Sequence, residues 1–77
     1  MMSGRLPALK PRKVIKVLEP AGFLVHHIAG SHHVLRHHSD LARRVTVPFH
    51  NRDLKIGTLH RIIKDAGFAI EEFLDLL

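Results

Sequence analysis

From Lys10 to Ala21 the chain alternates in a way that suits only a helix. Val14, Ile15, Val17, Leu18 and Ala21 fall on one side, and Lys10, Arg12, Lys13, Lys16 and Glu19 take the other. Pro11 suits the first turn, where its missing N–H costs nothing. Gly22 is a good terminator, and Pro20 predicts a last turn that is bent or ends early. The pattern then changes. Phe23-Leu24-Val25-His26-His27-Ile28-Ala29 is rich in strand formers, and Gly30-Ser31 follows it. Glycine at the first position of a two-residue loop predicts a type II′ hairpin turn. The return strand is His32 to His37. A connection containing Ser39-Asp40 leads to a third strand, Arg43 to Pro48, with Val45 and Val47 on one face and Arg44 and Thr46 on the other. Pro48 ends that strand or places it at a sheet edge.

Phe49 to Ile56 read as a loop. Leu59, Ile62, Ile63 and Ala66 then stand at i, i+3, i+4 and i+7, the core-facing stripe of a second helix. Gly57-Thr58 opens it with Thr58 as N-cap, and Gly67 stops it. Ile70 to Leu77 suits a short third helix whose apolar end packs on the domain or on a partner. Residues 1–10 contain Gly4 and Pro7 and show no periodicity, so they read as a flexible leader. Residues 11–77 form a single domain.

The order α-β-β-β-α with short connections implies an α+β fold with a three-stranded antiparallel sheet. Two amphipathic helices need one apolar face to cover, so both are expected on one side of that sheet. Double-stranded-RNA-binding domains share this layout, although layout alone does not carry function.

Composition narrows the possibilities. A chain of 77 residues walls no large substrate cavity, and its thin core buries only about 60% of the unfolded surface. No apolar run approaches the ~18 residues of a membrane span, and the start lacks the apolar core of a signal peptide. The absence of Cys excludes disulfides and thiolate chemistry and fits a reducing, cytoplasmic setting. Twelve Lys and Arg against seven Asp and Glu leave a net charge of +5, which favours nucleic acid or an acidic protein as partner.

The eight histidines pose the question of chemistry. Neighbours on a strand point to opposite faces, so neither His26-His27 nor His32-His33 is expected to grip one metal ion. Ser31 beside His32 is not a triad, and no Gly-x-Ser-x-Gly elbow is present. Acid–base work on RNA fits better. RNA supplies its own nucleophile, the 2′-hydroxyl. What remains to be provided is a proton acceptor, a proton donor and cations, and histidine with Arg and Lys provides all three. The bland alternative is a set of solvated strand histidines.

Four ordered blocks carry a resemblance. Gly30-Ser31-His32-His33-Val34-Leu35-Arg36-His37 resembles the GSHH segment of HicA-type (YcfA-like) mRNA interferase toxins. Arg43 to His50 resembles the family's RRVTVP-x-H strand, Asp53 to Gly67 its second helix, and Pro11 to Phe23 its first helix. His60 stands where the family commonly has Arg, and Pro20 replaces a more usual helix former.

The resemblance implies a toxin of a type II toxin–antitoxin system. Such a toxin would be a metal-independent endoribonuclease cleaving mRNA, with no cofactor, and neutralised by a HicB-like antitoxin. By position in the motif, His33 would be the catalytic histidine. Arg36, Arg44 and Lys55 would attract phosphate, and Gly57 and Thr58 would offer free N–H groups at a helix N-terminus. His37, His50 and His60 remain candidates for the second proton carrier. The antitoxin would lay an acidic surface over His33 and the open side of the sheet. A non-catalytic RNA-binding module of the same fold is the alternative.

Overall fold

The computed structural model describes residues 6–77. Its order is α1 (Pro11–Leu18), a 3-10 turn (Glu19–Ala21), β1 (Phe23–Ala29), β2 (His32–His37), β3 (Arg44–Pro48), α2 (Ile56–Asp65) and α3 (Ile70–Leu76). The strands form one antiparallel sheet in the order β1-β2-β3. This is the expected α+β architecture. Of the expected leader, residues 1–5 lie outside the described residues. The core already begins at Leu9, which is buried and whose carbonyl accepts the N–H of Leu54 at 2.8 Å.

α1 buries Pro11, Val14, Ile15, Val17 and Leu18. Pro20 tightens its end into the 3-10 turn, and Gly22, at φ 103°, turns the chain into β1. Gly30 has φ 59°, and among the described residues no non-glycine residue has positive φ. Ser31 is therefore not left-handed, which fits type II′ rather than type I′.

The pairing Leu35↔Val45 and His33↔Val47 sets the faces of the sheet. Leu35, Val45 and Val47 are fully or nearly fully buried in one cluster with Val14, Leu18, Leu59, Ile62, Ile63 and Phe73, so the helices cover that face. The opposite, open face carries the Leu24↔Arg36↔Arg44 row and the Val34↔Thr46 pair.

Three details differ from the sequence reading. α2 begins at Ile56 with Lys55 in extended conformation before it, and no side chain caps it. Thr58 is thus the third helical residue, too far into the turn to act as N-cap. β3 begins at Arg44, because Arg43 leaves the strand to hold the end of α2: its Nε donates to the Ala66 carbonyl at 2.7 Å. A cation on the last carbonyls of a helix is favourable by charge and by hydrogen bonding. The third difference is a β-bulge. Val25 pairs with Leu35 and His27 with Val34, which leaves His26 as an extra residue. α3 docks through Phe73, which is wholly buried, and Glu72 accepts the Ala69 N–H at 2.7 Å to cap its start.

Candidate active site

His33 sits at the start of β2 on the helix-covered face, because it shares its register position with buried Val47. The pairing of β2 with β3 continues past Pro48: the Phe49 N–H donates to the Ser31 carbonyl at 2.6 Å. That bond brings the Phe49 ring onto the His33 ring, with centroids 4.1 Å apart and planes 20° apart. His33 Nδ1 is buried and has no hydrogen-bond partner. A buried polar atom left without a partner is uncommon, and a catalytic role is one of the explanations for it.

The polar side of α1 passes over this pair. Arg12 lies 5.6 Å from the Phe49 ring centre. Arg12, Ile15, Lys16 and Glu19 border a pocket of about 240 Å³ with His33 and Phe49. Arg12 and Lys16 also border a second, larger groove of about 510 Å³, together with Lys10, Lys13, His50 and Asn51. The two depressions share their cationic wall. A polyanion following α1 would pass along four basic side chains and end at His33.

The other anticipated residues go elsewhere. Arg36 and Arg44 pair with each other on the open face, so the sheet separates them from His33. Lys55 is exposed before α2. The N–H groups of Gly57 and Thr58 lie in its first turn, where an α-helix leaves its donors free. Thr58 borders a different groove, of about 370 Å³, with His32, Thr46, Pro48 and Arg61.

The three candidate proton carriers also separate. His37 is buried, and its Nδ1 accepts the N–H groups of Ser39 and Asp40, each at 3.2 Å. It packs edge-on against Phe23 at 5.2 Å. Those bonds place its ring proton on Nε2 and make it a fastener for the β2–β3 connection. His60 is exposed on α2 and borders neither depression beside His33. His50 is exposed, follows Phe49 directly and lines the α1 groove, its Nδ1 accepting the Arg52 N–H at 3.1 Å.

The bulge overturns one expectation. His26 and His27 do not point to opposite faces: the extra residue brings both rings to the open side, with Nδ1 atoms 2.9 Å apart, one donating to the other. The Arg36 guanidinium, then desolvation, His27 and Arg44, hold His26 below the usual histidine value. Among the described residues no three His, Asp or Glu side chains converge in a metal-binding group. No helix there is long and apolar enough to cross a membrane.

A family model described as a HicA toxin of bacterial toxin-antitoxin matches residues 11–68, three quarters of the chain. The α-β-β-β-α fold and the family match agree, and the chain belongs to the HicA toxin family. It is the toxin of a bacterial toxin–antitoxin pair and has an antitoxin as partner. No curated protein matches it.

Residues that the sequence reading passed over are Phe49, Arg12 and Lys16. The helical stripe assigned Arg12 and Lys16 to a polar face, but not what that face looks onto. For Phe49 the signal was its position directly after a strand paired to the one that begins with the histidines.

Proposed function

We propose that this toxin is a metal-independent endoribonuclease that cleaves mRNA with His33. The observation that carries the reading is the pocket where His33, its Nδ1 free and its ring stacked on Phe49, meets Arg12 and Lys16 at the end of a four-cation groove.

The RNA backbone lies along α1, its phosphates neutralised by Lys10, Arg12, Lys13 and Lys16. The 2′-hydroxyl next to the scissile phosphate loses its proton to one histidine as its oxygen attacks phosphorus. A second histidine gives a proton to the departing 5′-oxygen. The products are a 2′,3′-cyclic phosphate and a 5′-hydroxyl end. Arg12 and Lys16 offset the charge that grows on the phosphoryl oxygens, the effect that contributes most in such sites. His33 is one member of the acid–base pair and His50 the other, since His37 is committed to the fold. Arg36 and Arg44 face away and take no part in this step. With four phenylalanines and no Tyr or Trp in the chain, contacts to base faces are few, so backbone contacts dominate binding.

The test is cleavage of a defined RNA by the parent chain, His33→Ala, His50→Ala and His32→Ala, each in excess EDTA. Loss of a general acid or base costs about 10²–10⁴ in rate. His33→Ala and His50→Ala fall by that much, and His32→Ala stays near the parent. EDTA sensitivity with rescue by added metal refutes the 2′-hydroxyl route. RNA binding without cleavage by any form leaves the non-catalytic module as the answer.

A further inference from the structure

The open face of the sheet carries charge and apolar surface for which the His33 groove has no use. Leu24, Arg36 and Arg44 lie in one row across the three strands. Leu24 is 62% exposed, and Leu41, in the β2–β3 connection, 70%. With His26 and Arg36 they border a depression of about 450 Å³ that no carboxylate lines. The bulge adds the His26-His27 pair to the same side. Arg36 Nε is buried without a hydrogen-bond partner, and neither Arg36 nor Arg44 joins an ion pair among the described residues. A partly desolvated Arg36 and an exposed Arg44, both without counter-charge and beside exposed leucines, describe half of an interface.

The chemistry discriminates among occupants. An RNA backbone would satisfy the arginines but leave Leu24 and Leu41 against phosphate, with no Phe on this face to receive a base. A second copy meeting through the same patch would set Arg36, Arg44 and His26 against their own counterparts, since a two-fold contact is self-complementary. An acidic protein segment with an apolar side chain answers both features at once.

We propose that this open face is the surface by which the toxin is held by its antitoxin, through an acidic segment carrying an apolar anchor that seats between Leu24 and Leu41. The surface lies on the side of the sheet opposite His33, so holding the toxin and covering His33 are separate acts performed by separate contacts. The inference does not depend on RNA cleavage, because it concerns residues outside that groove.

The experiment is equilibrium binding of the cognate antitoxin to the full-length toxin, with circular dichroism confirming the fold of each variant. Leu24→Ser combined with Arg36→Glu weakens binding at least ten-fold. Leu41→Ser and Arg44→Glu each weaken it several-fold. Lys13→Glu, on α1, changes it less than two-fold. If the double variant does not fold, Leu41→Ser and Arg44→Glu, both at exposed positions, decide the matter. Binding unchanged by these substitutions, or reduced as much by Lys13→Glu, overturns the proposal. So does a result in which they weaken binding of an RNA oligonucleotide and spare the antitoxin. A parent chain that dimerises in sedimentation and is made monomeric by Leu24→Ser overturns it in favour of self-association.

Discussion

Gly22→Ala tests whether His37 is fixed as firmly as its contacts imply. Gly22 has φ 103°, and a Cβ built there would stand 2.7 Å from His37 Nε2 and 2.8 Å from His38 Cδ2. Left-handed backbone costs a residue with a Cβ about 1–2 kcal/mol. Crowding costs about 1–3 kcal/mol more where the neighbours do not yield. They do not yield easily here. His37 accepts two backbone N–H groups and packs edge-on against Phe23, while the His38 N–H donates to the Gly22 carbonyl at 2.9 Å. The sum is about 2–5 kcal/mol, against a total stability of roughly 4–12 kcal/mol for a chain of this size. Gly30→Ala supplies the control. Its φ is 59° and a Cβ there meets nothing within 4 Å, so it carries the backbone cost alone, about 1–2 kcal/mol. Urea denaturation of the three chains measures both. Gly22→Ala is expected to lower stability by at least ~1 kcal/mol more than Gly30→Ala. If the two substitutions cost the same, His37 moves freely, and the case against it as a proton carrier fails with it.

Two further expectations follow from charge. The four cations bordering the α1 groove should give RNA binding a logarithmic salt slope near −3, at ~0.7 per neutralised phosphate on a single strand. Lys13→Ala or Lys16→Ala should each reduce the slope by about 0.7, and an unchanged slope removes α1 from the RNA path. His26 titrates below 6.5 in the folded chain, chiefly because of Arg36. The unfolded chain therefore takes up this proton first as pH falls. The stability tied to neutral His26 is complete above about pH 6.5 and declines as pH drops toward the folded value. In a proton NMR titration Arg36→Gln should raise the His26 midpoint; a midpoint that stays put would assign the shift to another cause.

The strands and the first helix were legible because local signals agreed with the final packing. Glycines mark the turns at 22 and 30, β-formers fill 23–29, and the Val45/Val47 alternation picks out the buried face. That same alternation also separates His33 from Arg36, three positions apart on one strand. Grouping them in one site overlooked a rule already visible in the sequence. Other features lie beyond a single chain reading. The bulge at His26 depends on how β1 and β2 match in length across the hairpin. The meeting of Arg12 and Lys16 with His33 depends on where α1 lands on the sheet. Thr58 misled because a good capping residue followed a helix start that Lys55 and Ile56 had already supplied.

The bulge has a consequence for how this gene can change length. On the hairpin side of His26, β1 residues pair one position out of step with those on the other side. Removing His26 alone would bring the ladder back into regular pairing, and every other residue of β1 and β2 would keep its partner and its face. Loss of a residue between Val34 and His37 would instead turn the rest of that strand over. It would send Leu35 or His37 outward, or His33 away from Phe49. The hairpin therefore contains one position where a codon can be lost or regained without disturbing its pairing, next to a strand in which every codon is counted. Variation in length among descendants of this sequence should collect at that position and be rare in the strand that follows.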